Sequence, residues 1–271
     1  MSELIRYGSG AHGIERLEAH FGRQGYSPHR HDTYAIGLTL WGVQKFRYRG
    51  AQRYCLPGQC HILHPDELHD GSAATEAGFG YRIVYVDPSL VQQALNGRPL
   101  PFIQTPVVDL TAQQHRYLSN VCDVNETFDE SECVEIATFL ADLLEGLCAP
   151  HPIEKRPLAV DSLRRVRDRI AADPALRHPL QDLEKLAGID RWALARQFRE
   201  AFGTSPSRFR TMRQLDEVRR LVSKGSSLVD AAIEVGFSDQ SHMSRKFKNA
   251  YGLTPARWFA MNPQHSELSP S

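Results

Sequence analysis

Two stretches of the chain follow one pattern, and it restricts the fold more than anything in the composition does. Gly188 to Phe209 reads GIDRWALARQFREAFGTSPSRF, and Gly236 to Trp258 reads GFSDQSHMSRKFKNAYGLTPARW. Each runs from a glycine into a helix and on to a Phe (Phe198, Phe247). A glycine follows five residues later (Gly203, Gly252), a proline three after that (Pro206, Pro255) and an aromatic three further on (Phe209, Trp258). Glycine ends a helix by accepting a left-handed conformation, and a capped proline starts the next one, so both stretches predict helix, turn, helix. Two copies are too few for a solenoid, which leaves one small helical unit used twice.

The faces of these helices say what the unit does. In the second, Met243, Phe247 and Ala250/Tyr251 form one apolar stripe, and Gln240, Ser241, His242, Ser244, Arg245 and Lys248 lie outside it. In the first, Leu194, Phe198 and Ala201/Phe202 point inward and leave Arg191, Trp192, Ala195, Arg196 and Arg199 outside or at the edge. Short amphipathic helices with such outer faces suit the major groove of DNA, where Arg and Gln match base edges and Lys and Ser hold phosphates. The bland alternative is a helical bundle with a solvated basic face, with Trp192 a partly buried core aromatic.

Residues 180–258 resemble the AraC/XylS family of bacterial transcription regulators, whose DNA-binding domain carries two helix-turn-helix motifs joined by a long helix. The final motif, GFSDQSHMSRKFKNAYGLTPARW, matches the family signature almost throughout. The resemblance implies that Trp192, Ala195 and Arg196 contact DNA, and that Gln240, Ser241, His242, Ser244 and Arg245 do so in the second motif. Many relatives have a larger polar residue where Ala195 stands, which shifts the first motif toward apolar contact with thymine methyls. Two such motifs would meet successive major grooves, roughly 34 Å apart. Double-stranded DNA is therefore the expected partner, with RNA polymerase as a further one.

Charge is split along the chain. Residues 1–156 hold 13 Lys+Arg against 19 Asp+Glu, and residues 157–261 hold 19 against 12. That fits a DNA reader behind a separate acidic module. Five cysteines without a CxxC argue against a disulfide framework or a zinc finger. No charged-then-apolar leader opens the chain and no apolar run approaches the length of a membrane span, so the expectation is a soluble cytoplasmic protein.

The fold class expected is α+β. Residues 1–148 form an effector-binding and dimerisation domain, 149–157 a linker with three prolines, and 158–262 the double helix-turn-helix domain. IERLEAHF, TYAIGLTLWG, VQKFRYRG, QRYCLPG, QCHILHP and FGYRIVYVDP predict short strands of a sandwich or barrel. HRHDTYAIGLTLWG, LPGQCHILHPDELH and YRIVYVDP also resemble the cupin-like effector domain of many AraC-type regulators. A helix from Ser131 to about Cys148 carries two neighbouring apolar stripes, wider than docking on one barrel needs, so a homodimer through it is expected.

His29, His31, His61, His64 and His69 crowd one region of this domain. His29-x-His31 resembles the start of a catalytic cupin's metal motif. The carboxylate such enzymes need would fall at Ala35 or Ile36, so neither a metal nor a cofactor nor catalysis is expected. Small residues at Ala35, Gly37 and Thr39 would leave space inside the barrel, rimmed by His29, His31, His69 and Arg82. Arg82 on an apolar strand needs either an internal carboxylate or an anionic ligand, which favours a carboxylate-bearing effector. Two other readings stay open: an N-terminal domain that only dimerises, and a metal-dependent cupin enzyme fused to a DNA-binding domain.

Overall fold

The computed structural model describes residues 3–9, 13–148 and 158–261. The predicted linker and the end of the second domain at 262 lie outside the described residues. The N-terminal half is two packed antiparallel sheets. Its strands are β1 (Leu4–Tyr7), β2 (Ile14–Phe21), β3 (Gln24–His29), β4 (Tyr34–Gly42) and β5 (Gln44–Tyr48). They continue with β6 (Ala51–Cys55), β7 (Cys60–Leu63), β8 (His69–Ala73), β9 (Phe79–Val86) and, after a helix, β10 (Val107–Val108). One sheet has the order β1-β2-β9-β4-β7-β10 and the other β3-β8-β5-β6.

Alternation along β9 and β4 decides what lies where. Phe79, Tyr81 and Ile83 face inward with Leu17, Phe21 and Phe46. Val84, Val86, Ile36 and Leu38 face outward, where helices cover them. Those helices are α1 (Pro88–Ala94), α2 (Ala112–Val121) and α3 (Glu130–Gly146). Capping boxes start α2 at Thr111 and α3 at Asp129: each cap's side-chain oxygen accepts from the third residue's backbone amide, and that residue's side chain accepts from the cap's amide. Both apolar stripes of α3 are used within the chain: Ile136, Ala137, Leu140, Ala141, Leu143 and Leu144 are all buried. The width that predicted a dimer face reflects packing against α1 and the sheet at once, and of the residues in those stripes only Val134 stays well exposed, at 63%.

The C-terminal half is helical: α4 (Val160–Ala172), α5 (Leu180–Ala187), α6 (Arg191–Phe202), α7 (Pro206–Ser223), α8 (Leu228–Glu234), α9 (Gln240–Tyr251) and α10 (Pro255–Ala260). Helix α6 starts at Arg191 because Asp190 is its cap, accepting from the amides of Trp192 and Ala193. Leu163, Val166, Leu183, Leu194, Phe198 and Phe209 make the first motif's core. The second motif's core runs on into the sheets: Met212, Leu215, Met243, Phe247 and Trp258 join one buried cluster with Ile5, Leu17 and Phe79. No helix among the described residues is long and apolar enough to cross a membrane.

Opposite charges hold the halves together. Arg167, Arg208, Arg213, Arg219 and Arg257 of the C-terminal half pair with Asp87, Asp66, Asp32, Glu15 and Glu3 of the N-terminal half at 2.6–3.0 Å. In every pair the arginine comes from the basic half and the carboxylate from the acidic half, so part of the charge split serves the domain interface.

Candidate functional site

The two repeated helices present their outer faces to solvent. On α6, Trp192 is 78% exposed and Ala195, Arg196 and Arg199 are exposed beside it. On α9, Gln240, Ser241, Arg245 and Lys248 are exposed, while Ser244 and His242 are half-buried. The His242 ring stands edge-on to Phe237 at 5.5 Å, with its Nδ1 3.3 Å from Ser238 Oγ. Arg196, Arg199, Arg245 and Lys248 have no ion-pair partner among the described residues, so they are available to an incoming polyanion. Arg191 is not: its guanidinium and backbone amide donate to the Glu184 carboxylate at 2.7–3.2 Å, which ties α6 to α5.

The far ends of both helices meet the N-terminal half. Gly203 and Gly252 cap α6 and α9 with φ of 70° and 72°. A Cβ at Gly203 would lie 2.5 Å from Pro65 Cβ, and one at Gly252 would lie 2.8 Å from Tyr26 Cβ and from His29 Nδ1. Ser27 N donates to Gly252 O, Arg30 N to Asn249 O and Ile5 N to Met261 O, all at 3.0 Å. The repeated glycine thus answers to two demands, a left-handed turn and a close neighbour.

Between the halves lies a cavity of about 660 Å³. One wall is Tyr7, Glu15, Tyr26, His29, His31 and Tyr85 of the sheets; the other is Met212, Arg213, Arg219, Tyr251 and Trp258 of α7, α9 and α10. Arg213 reaches Asp32 and Asp216 at 3.0 and 3.2 Å. Arg219 reaches Glu15 at 2.9 Å and rests on the rings of Tyr7, Tyr251 and Trp258, 4.8–5.3 Å from their centroids. Trp258 Nε1 donates to the Tyr7 hydroxyl at 3.1 Å. Burial pushes the Asp32 carboxyl up to about 6, against the pull of Arg213.

The expected effector residues separate here. His29 and His31 line the cavity, and His69 packs against both, with ring centroids 4.2 and 4.8 Å away. Thr39 does not line it: it is buried on the inner face of β4, and beside Gly37 the space expected inside the barrel is filled by the His61 ring. Arg82 does not line it either. It shares a face of β9 with Val84 and Val86, and that face is the outer one, where Glu18 and Asp123 hold the guanidinium at 2.6 and 2.9 Å. The sheet register sets Glu18 directly opposite Arg82, so the arginine meets its partner across the strands and offers no anchor for a carboxylate ligand. Among the described residues no group of three or more His, Cys, Asp or Glu is arranged to hold a metal ion. Sequence reasoning missed Glu15, Arg213 and Arg219; the matching charge excess of the two halves was the available signal.

Comparison with known proteins agrees with this division of the chain. Residues 11–123 match the family model of the AraC-like ligand binding domain, and residues 183–261 match a helix-turn-helix domain. The chain is 26% identical over 227 residues to the uncharacterized HTH-type transcriptional regulator YbfI of Bacillus subtilis strain 168, covering 81% of this chain and 82% of YbfI. It is 24% identical over 238 residues to the arabinose operon regulatory protein of Salmonella typhimurium, covering 84% and 83%. Its fold is similar to that of ToxT from Vibrio cholerae, with a TM-score of 0.66 at 12% identity over 92% of this chain and 99% of ToxT. A structure of ToxT with bound unsaturated fatty acid aligns with a TM-score of 0.64 at 12% identity, over 93% of this chain and 97% of that one.

Proposed function

This chain belongs to the AraC/XylS family of DNA-binding transcription regulators with an N-terminal ligand-binding domain, and on that premise we propose that it senses its effector in the cavity between its two halves. The observation that carries this is the composition of the walls: a molecule there touches the sheets on one side, and the long helix α7 with the end of the second helix-turn-helix motif on the other. Occupancy would then act on the contacts that position α9. ToxT, similar in fold, has been solved with an unsaturated fatty acid and with a naphthalenyl-butenoic acid. A small molecule with an apolar body is the corresponding class here. Base reading falls to Arg196, Gln240 and Arg245, with Trp192 and Ala195 supplying apolar contact and Lys248 holding phosphate. The domain limits 1–148 and 158–262, a cytoplasmic location and the lack of catalysis belong to the same proposal. Pairing of copies through α3 is left out of it, because the stripes that suggested such pairing are spent inside the chain.

The test is a ligand screen by thermal melting on the full chain, repeated on Ser223→Trp, which places an indole in the cavity wall. A compound that raises the melting temperature of the wild type should leave the variant unmoved. An equal shift in both would put the effector elsewhere, and no shift from a broad screen would favour an N-terminal domain that binds no effector.

A further inference from the structure

His29, His31 and His69 form a compact group, with ring centroids 4.2, 4.8 and 6.1 Å apart. Each Nδ1 lies 2.8–2.9 Å from a backbone carbonyl oxygen, of Ser27, Thr33 and Glu67 respectively. A carbonyl only accepts, so each Nδ1 carries the ring hydrogen and each Nε2 is a bare lone pair. Burial keeps all three rings from taking a second proton near neutral pH, since it holds their pKa values below the ordinary imidazole range. No Nε2 of the three has a hydrogen-bond partner among the described residues. His29 and His31 line the cavity, so what their rings offer a ligand there is acceptors only.

Of the four cations in the rest of the wall, Arg213, Arg219 and Arg220 already hold Asp32, Asp216, Glu15 and Glu217, which leaves Lys224, just past the end of α7. A carboxylate brought up to His31 would meet lone pairs, with Asp32 next to them. The body of the cavity is aromatic, with Tyr7, Tyr26, Tyr85, Tyr251 and Trp258 in its lining, and 660 Å³ admits two or three fused rings.

Resting on the cavity as the effector site, we infer that the effector is a flat aromatic molecule whose polar end donates an O–H or N–H hydrogen bond to Nε2 of His29 or His31, and is not a carboxylate. The polar end is thus chosen by the tautomer that two backbone carbonyls impose on the rings.

Four naphthalenes with one body and different ends test this on the full chain by calorimetry: 2-naphthol, 2-naphthylamine, 2-methoxynaphthalene and 2-naphthoate. The two donors should bind at least ten-fold more tightly than the ether and the acid. His31→Leu and His29→Leu should bring 2-naphthol down toward the ether, and His31→Gln, which returns an acceptor oxygen, should recover part of the loss. Unchanged binding of 2-methoxynaphthalene in these variants reports an intact cavity. Equal affinities for all four, with loss of all four in Ser223→Trp, would overturn the donor requirement while leaving the cavity as the site. Tighter binding of 2-naphthoate that depends on Lys224, a cation at the cavity wall, would overturn it too. So would tight Zn²⁺ binding lost in His31→Leu, which would give the lone pairs to a metal. Failure of every naphthalene to bind would overturn this inference and leave the cavity reading to the broader screen, whereas binding that survives Ser223→Trp would remove both.

Discussion

At the scale of single residues, three glycines offer a controlled comparison. Gly188, Gly203 and Gly252 end α5, α6 and α9 with φ of 69°, 70° and 72°. A Cβ at Gly188 meets nothing, whereas at Gly203 and Gly252 it meets the N-terminal half. Gly188→Ala should therefore cost only the left-handed strain, about 1–2 kcal/mol. The same change at Gly203 or Gly252 should cost more in chemical unfolding, by the overlap with Pro65 or with Tyr26 and Ser27. Equal costs at all three would mean that the halves do not press on the helix ends. The imidazoles give a second residue-scale expectation. Burial lowers the His61, His64 and His69 values to about 3, 3 and 4, and those of His29 and His31 also fall. As pH drops from 7.5 to 5 the unfolded chain takes up protons that the folded chain refuses, so stability should fall, by about 2 kcal/mol per imidazole at most. Asp32, raised to about 6, works the other way by taking a proton in the folded state first. Melting temperatures across that window should drop, and His61→Phe should make the drop shallower; a flat profile would contradict burial of these rings.

At the scale of elements, the recognition helices carry the sharpest expectation. Arg196→Ala on α6 and Arg245→Ala on α9 should each weaken a cognate site by about 1–3 kcal/mol and relax preference at one or two bases. Lys248→Ala should weaken all sequences alike and flatten the salt dependence by about one unit of slope. Equal loss on cognate and random DNA for Arg196→Ala would remove base reading from the first motif. Arg191→Ala should act on the α5–α6 contact through Glu184 rather than on base preference. These helices were legible in the sequence because local chemistry sets their ends: Asp190, Ser205, Asp239 and Thr254 cap, and the glycines stop. β1, β3 and β8 were not legible. Gly25, Ser27 and Pro28 in β3, and Asp70, Gly71 and Ser72 in β8, have little strand preference, and pairing with neighbours makes them strands. Arg82 shows the same limit: it was expected on the rim of the barrel interior, and only the folded sheet says that its face of β9 is outside.

At the scale of the molecule, the halves form one body through buried charge and a shared core. Arg213 has two carboxylates and Asp32 has one arginine within ion-pair distance, so the pair should respond unequally. Asp32→Asn leaves Arg213 with Asp216 and should be mild, whereas Arg213→Met strands a buried carboxylate and should cost about 3–5 kcal/mol. Equal costs in denaturant unfolding would mean the bridge is not buried in solution. The cavity was not legible in the sequence because its walls come from opposite ends of the chain and meet only in the fold. That distance has a consequence for synthesis. Glu3 pairs with Arg257, 254 residues later, and Tyr7 takes its hydrogen bond from Trp258. At roughly 5–20 residues per second, β1 waits about ten to fifty seconds for the helix it packs against. A ribosome-bound chain stopped short of α10 would hold a paired but uncovered edge strand and a cavity that lacks Trp258 in its wall. The cavity is thus completed only with the last turn of helix, after α6 and α9 have been made.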